Sequence, residues 1–400
     1  MASAVYIKGT GNRKVAKTTK IHYLGRKTRM KKKLLSVILS VAMVSALLAG
    51  CGNKAAETAA EAAPAAAEEA APADEAAPAD EAAPAAEGGV AGKTMAILVK
   101  SAGNPYNEKE SAGFQEVIEA AGATCIVKAP ESATAEAQIT MINELVAQQV
   151  DSIAIAGNDA DALQPALTAA MNAGIKVCSV DSAVNKDSRM VHVNQAGITE
   201  IGVTLVNAVA DIVGSEGGQF AILSATSQAT NQNAWIAAME AELEKDARGL
   251  ELVKIAYGDD EFQKSVDETE ALLKNYPDLK CICAPTTVGI MAAGKVLQDK
   301  GSACKLTGLG LPSEMADYIG AEKSCPYMFL WNPIDIGRLA AYTSIALVEG
   351  DITGAEGDTF TAGDLGDYSI VAAEDGGTEV ILGPPFEFNP ENIEEWKTIY

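Results

Sequence analysis

From Lys93 onward the chain alternates short apolar runs with longer segments whose apolar positions recur three and four residues apart. Met95 to Val99 reads as a buried strand, Pro105 to Ala121 as a helix ended by Gly122, and Cys125 to Val127 as the next strand. Ala135 to Gln149 follows as a helix, Ser152 to Ala156 as a strand, Asp159 to Ala173 as a helix stopped by Gly174, and Lys176 to Val180 as a strand. The rhythm then resumes. Helices are predicted over Gly202 to Val213, Asn233 to Lys245, Lys264 to Asn275 and Val288 to Lys300, with strands at Phe220 to Leu223, Leu252 to Tyr257, Cys281 to Ala284 and Lys305 to Leu309. A short strand, Tyr327 to Leu330, and a helix, Ile334 to Val348, come last. Repeated strand, polar loop, helix and glycine argues for right-handed βαβ units and parallel sheets, an α/β fold. The units exceed one small sheet, and about 300 residues normally divide in two. Two similar lobes are expected, each a parallel sheet flanked by helices, with a boundary near Asn194-Gln195-Ala196.

Before Lys93 the pattern is different. Residues 1 to 29 are basic and aperiodic, and Met30-Lys31-Lys32-Lys33 then opens an apolar run, Leu34 to Leu48, that ends in Leu48-Ala49-Gly50-Cys51. The run is too short to span a bilayer comfortably, and its small residues before a cysteine form the pattern of a processed lipoprotein signal. Translation is therefore expected to start at Met30, with residues 1–50 removed and Cys51 lipidated. Residues 52–92 are Ala, Pro, Glu and Asp, including Ala-Pro-Ala-Asp-Glu-Ala at 71–76 and again at 77–82. Such a stretch builds no core and reads as an extended acidic tether, roughly 35 Å by coil statistics.

Charge sharpens once the leader is removed. Residues 1–50 hold 11 Lys and Arg and no Asp or Glu, so the net charge falls from −23 to −34. A chain this acidic repels nucleic acid and anionic head groups. Cys125, Cys178, Cys281, Cys283, Cys304 and Cys325 remain. Most lie in apolar runs and read as small buried hydrophobes. Cys281 and Cys283 sit two apart on one face of an apolar strand and are read as buried packing residues rather than as ligands of a shared metal. The sequence allows a Cys304 to Cys325 bridge without requiring it.

In open parallel sheets the ligand crevice lies at the carboxyl ends of the strands. The polar residues collected there are Lys100 with Asn104-Pro105-Tyr106, Asn158-Asp159, Asp181-Ser182, Thr226 to Asn233, Pro285-Thr286-Thr287 and Trp331-Asn332. Asp159 reads as a helix cap and Trp235 as core, whereas three successive amides, Asn231-Gln232-Asn233, exceed what one cap needs. Enzyme parts are missing from this set. His192, the one histidine after the leader, sits inside an apolar run, and there is no Gly-x-Ser-x-Gly elbow or Cys-x-x-Cys pair. Gly308-Leu309-Gly310-Leu311-Pro312-Ser313 departs from a dinucleotide loop at its third glycine. What remains is amides, carboxylates, one ammonium and aromatic rings, groups suited to vicinal hydroxyls.

From about Lys93 to Trp396 the chain resembles bacterial type 1 periplasmic solute-binding proteins of sugar ABC importers, in particular their rhamnose-binding and autoinducer-2-binding branch. The resemblance is carried by residues 158–167, Val180-Asp-Ser182, Val193-Asn-Gln195, Asn231-Gln-Asn-Ala-Trp235, Tyr276-Pro-Asp-Leu279, Ala284-Pro-Thr-Thr-Val-Gly289, Gly308-Leu-Gly-Leu-Pro312 and Leu330-Trp-Asn-Pro333. It implies that Lys100, Asp181, Gln232 and Pro285 match ligand-binding positions of autoinducer-2 receptors, while Asn231 and Thr287 replace an aspartate and an alanine there and agree with the rhamnose type. The implied ligand set is Lys100, Asn104, Tyr106, Asp181, Asn231, Gln232, Asn233, Pro285, Thr287, Trp331 and Asn332, with hinge residues Asn194 and Gln195 and with no metal or cofactor. It also implies three crossovers, near Asn194, Trp331 and Ile352. The first lobe would then be 93–195 plus 332–351, and the second 196–331 plus about 352–400. The implied function is capture of a small neutral sugar by hinged closure, as a non-enzymatic monomer. An ABC permease would be its partner, and the Cys51 lipid would hold it at an extracytoplasmic, Gram-positive membrane surface. Two alternatives share these residues: an autoinducer-2 receptor, and a subunit presenting ligand to a membrane sensor kinase.

Overall fold

The computed structural model describes residues 89–400; the leader, Cys51 and all but the end of the tether lie outside the described residues. The first βαβ series is built from β1 (Thr94–Leu98), α1 (Pro105–Ala120), β2 (Thr124–Lys128), α2 (Ala135–Ala147), β3 (Ser152–Ile155), α3 (Ala160–Asn172), β4 (Lys176–Val180) and β5 (Val191–Asn194). The central strands are buried on both faces, which is why they read as continuous apolar runs. Ala96 and Leu98 face Leu145, Leu163 and Leu167 of α2 and α3. Met95 and Ile97 point the other way, into the core that holds Phe114 of α1. Asn104 caps α1 through its Oδ1, which accepts the Tyr106 N–H at 2.9 Å, and Pro105 fits the first helical position. The Asp159 carboxylate caps α3, as the sequence predicts.

A second series repeats the scheme with α4 (Ile198–Val213), β6 (Gly218–Ser224), α5 (Thr230–Lys245), β7 (Leu250–Tyr257), α6 (Phe262–Asn275), β8 (Leu279–Ala284), α7 (Thr287–Asp299), β9 (Lys305–Gly308), α8 (Pro312–Met315) and β10 (Met328–Leu330). β6 to β9 form a parallel sheet in the order β7-β6-β8-β9. Gly308 ends β9 at φ 148°, and a Cβ there would lie 2.0 Å from the Ala284 carbonyl oxygen. The glycine of this loop therefore serves close strand packing.

α9 (Pro333–Glu349) returns to the first sheet and packs along α1. The helices touch backbone to backbone: a Cβ on Gly337 would lie 1.9 Å from the Glu110 carbonyl oxygen, and one on Gly113 2.1 Å from that of Ile334. The chain then runs through β11 (Thr359–Thr361), β12 (Asp367–Ser369), β13 (Val371–Ala372) and β14 (Thr378–Ile381). Here the structure corrects the expected boundary. β14 pairs in parallel with β5 and carries β13 on its outer edge, so the first sheet has the order β13-β14-β5-β4-β3-β1-β2. The last crossing thus follows Ile381 rather than Ile352, and residues 352–381 do not belong with the second lobe. These strands are two to four residues long and partly exposed, too short to impose a readable period.

Only after that crossing does β15 (Phe386–Phe388) pair antiparallel with β10, followed by α10 (Ile393–Trp396). Phe386, Phe388, Trp396 and Tyr400 clasp one another there with ring centroids 5.1–6.2 Å apart. The first and last connections lie side by side, with Leu382 N–H donating to the Asn194 carbonyl at 2.9 Å and Gly383 N–H to that of Gln195 at 3.2 Å. All six cysteines of the described residues are free thiols, Cys304 and Cys325 included.

Candidate functional site

The carboxyl ends of strands from both sheets converge on one cavity. Lys100 follows β1, and its backbone is held by a polar brace: Asn158 Nδ2 donates to the Lys100 carbonyl at 2.9 Å. Gln138 of α2, fully buried, accepts the Asn158 N–H at 2.9 Å and donates to the Val99 and Ala156 carbonyls at 3.2 and 2.7 Å. With its backbone fixed, Lys100 sends its ammonium across to the second lobe, donating to Asn231 Oδ1 at 2.8 Å and Gln232 Oε1 at 3.3 Å.

Asp181 follows β4 with φ +56°, a left-handed conformation that aspartate tolerates better than most residues. One carboxylate oxygen accepts the Tyr106 hydroxyl at 3.1 Å, and the other accepts Asn231 Nδ2 at 3.0 Å. Tyr106 is in turn held by the Trp331 indole N–H at 2.6 Å. A continuous chain of hydrogen bonds therefore runs from Trp331 through Tyr106, Asp181 and Asn231 to Lys100. Burial raises the Asp181 pKa, and Lys100, Tyr106 and Asn231 oppose that rise only in part. Burial and then the Asp181 charge push the Tyr106 phenol well up, keeping it a neutral donor.

Rings close one wall. Trp331 stands edge-on to Tyr106 at 6.5 Å and to Trp235 at 5.7 Å. Opposite polar atoms come from Asp260, which accepts the Thr286 hydroxyl at 2.6 Å, and from Thr287. The atom-free space between these residues, part of it open to solvent, is about 390 Å³. Of the residues expected from sequence, Lys100, Asn104, Tyr106, Asp181, Asn231, Gln232, Pro285, Thr287 and Trp331 line it.

Two expected ligand residues do not line this cavity. Asn233 Nδ2 donates to the Ser227 carbonyl at 3.0 Å, because helical geometry turns it away from its two amide neighbours. Asn332 is taken up as the cap of α9, accepting the Ile334 N–H at 2.9 Å. Conversely, Asn107, Trp235 and Asp260 line the cavity although they are outside the expected ligand set, as does Thr286, which the sequence places only at a strand end. Trp235 is buried and a wall at once, and its apolar helical position signalled only the first role. Asp260 lies in the polar run Gly258 to Glu261, where a turn is the natural reading, and its φ of +55° is invisible in sequence.

Glu110, one helical turn after Tyr106, is fully buried with neither carboxyl oxygen hydrogen-bonded. Burial, and then the neighbouring Asp181 charge, push its pKa well up. His192 lies on β5, its Nδ1 2.9 Å from the Ser179 hydroxyl, and burial followed by Arg189 lowers its pKa to about 3. No cluster of three or more metal-ligating side chains exists among the described residues, and none of their helices is long and apolar enough to cross a membrane. The arrangement can bind hydroxyl groups from both sides while stacking rings on an apolar face.

A family model for a periplasmic binding protein domain matches residues 95–352. The crystal structure of an ABC transporter solute-binding protein from Clostridium phytofermentas with bound L-rhamnose is 59% identical, with a TM-score of 0.76 over 78% of this chain and 100% of that one. A sugar ABC transporter structure from Actinomyces odontolyticus is 37% identical, with a TM-score of 0.62 over 78% of this chain and 99% of its own. LsrB from Clostridium saccharobutylicum in complex with AI-2 shares the fold at 21% identity, with a TM-score of 0.72 over 76% and 99%. A D-ribose/D-allose-binding protein of Pseudomonas aeruginosa is 26% identical over 180 residues, 43% of this chain. The chain spans about half, 55%, of the length of that curated relative.

Proposed function

The chain belongs to the periplasmic binding protein domain family, a family of binding proteins rather than enzymes, and from that premise we propose that it captures a neutral deoxyhexose of the rhamnose type for an ABC importer. The observation that carries this reading is the bridge between lobes. Lys100 and Asp181 from the first lobe share Asn231 from the second, so a ligand held by these groups is held by both lobes at once. Such a site is complete only when the lobes are together, the requirement for capture by closure. The 59% identical relative with bound L-rhamnose supports the choice of sugar.

The planar amides, the carboxylate and the ammonium present directional partners for vicinal hydroxyls, and Trp331 with Trp235 offers rings to the C–H face of a pyranose. Closed and loaded, the protein would dock on a permease, with Cys51 lipidation and the acidic tether keeping it beside the membrane. A second reading, binding of autoinducer-2, draws on Lys100, Asp181, Gln232 and Pro285 all lining the cavity. Calorimetry across L-rhamnose, autoinducer-2, ribose, galactose and xylose separates the two. Preference for L-rhamnose upholds the first reading, and preference for autoinducer-2 with silence toward rhamnose replaces it with the second.

A further inference from the structure

A second chamber adjoins the sugar cavity beside the connecting segments 194–195. Its atom-free space, about 560 Å³, exceeds the 390 Å³ of the first, and Asp181, Asn231 and Trp235 line both. The two cavities are thus neighbours across one shared hydrogen bond, the 3.0 Å contact of Asn231 with Asp181.

The lining says what would fit. Gln195 is fully buried, and neither its Oε1 nor its Nε2 has a hydrogen-bond partner among the described residues. Leaving buried polar atoms unpaired costs on the order of 1–3 kcal/mol each. A hydroxyl, donor and acceptor together, can serve either end of that amide. Apolar surface is provided by Ile198, Ala234 and Ala373 beside the Trp235 ring, a surface for the C–H face of a sugar.

Charge narrows the class further. Glu374, Asp375 and Glu379 face a single cation, Arg189. Its guanidinium is already committed, to the Asp375 carboxylate at 2.7 Å and to the Val184 carbonyl. An anion entering this chamber would meet surplus negative charge, whereas a neutral polyhydroxy group would meet acceptors.

We propose that the chamber is a second glycosyl subsite, so that the protein accepts a neutral disaccharide whose first unit occupies the cavity above. This rests on the sugar reading of that cavity and extends it to glycosides. Asn231 and Asp181 would then bind at the junction between the two units.

The test is calorimetry of the full chain with L-rhamnose and with the disaccharide of two L-rhamnose units, for wild type, Ala234→Phe and Ala373→Phe. Ala234 and Ala373 line the second chamber and not the first, and Ala373 is partly exposed on the hairpin between β13 and β14. The wild type should bind both sugars. The variants should weaken the disaccharide by about tenfold or more while rhamnose stays within about twofold. Rhamnose binding without disaccharide binding, or disaccharide binding unchanged in both variants, overturns the subsite and leaves the sugar reading standing. Absence of rhamnose binding by the wild type overturns that reading, and the subsite with it.

Discussion

The side-chain amide of Asn231, in the first turn of α5, donates to the carboxylate of Asp181 at the end of β4 with a separation of 3.0 Å. The two residues are 50 positions apart and belong to different lobes. Because Asn231 also accepts from the Lys100 ammonium, removing Asp181 takes away a ligand acceptor and unties the amide that orients Lys100. Asp181→Ala is expected to weaken sugar binding by about 2–4 kcal/mol, roughly 30- to 1,000-fold in Kd. Binding within about threefold of wild type would remove Asp181 from the site.

The same carboxylate should cost stability. Its pKa is raised by burial, so the folded protein holds that proton more tightly than the unfolded chain. Stability is then fully present below the unfolded value and declines as pH rises toward the folded one. Asp181→Asn should therefore lose affinity while keeping or raising the Tm at neutral pH. A variant that loses both would place Asp181 among the residues that hold the fold together.

Glu110 makes the sign of this effect easier to read, since its carboxyl oxygens have no hydrogen-bond partner. Its raised pKa predicts that the stability of wild type relative to Glu110→Gln falls as pH climbs above the ordinary value of 4.5. The slope should approach at most about 1.4 kcal/mol per pH unit. Denaturant unfolding of the two proteins between about pH 4 and 8 measures it, and a flat difference would mean that the carboxyl ionises as readily folded as unfolded.

Trp331 holds Tyr106, and Tyr106 holds Asp181, so the ring wall should contribute orientation as well as surface. Trp331→Phe keeps most of the apolar area but deletes the indole donor. It is expected to weaken sugar binding by about 1–2 kcal/mol. Tyr106→Phe, which removes the hydroxyl from Asp181, should weaken it at least as much. If both variants titrate like wild type, the aromatic chain is packing alone.

Much of this was legible because the physics is local. Lys100, Asp181 and Asn231 are polar residues directly after apolar strands or at the start of a helix, and in parallel sheets such positions face the crevice. Asn233 misled because adjacent amides on a helix point in directions about 100° apart, so three in a row cannot share one pocket. Asn332 misled because a cap and a ligand residue look alike before the helix is placed. The place of β14 beside β5 was illegible for another reason: it depends on which sheet offers a free edge, and four residues carry no record of that. Cys51 lies outside the described residues. Its role is checked by Cys51→Ser, which should release the protein from membranes into the soluble fraction.

A crystal structure of the protein grown with L-rhamnose decides whether groups from both lobes close on one neutral sugar. The sugar is expected in the cavity between Trp331 and Asn231, with hydroxyl oxygens within hydrogen-bond distance, about 3 Å, of the Asp181 carboxylate and the Asn231 amide. A sugar bound elsewhere, or one touching only a single lobe, would contradict it.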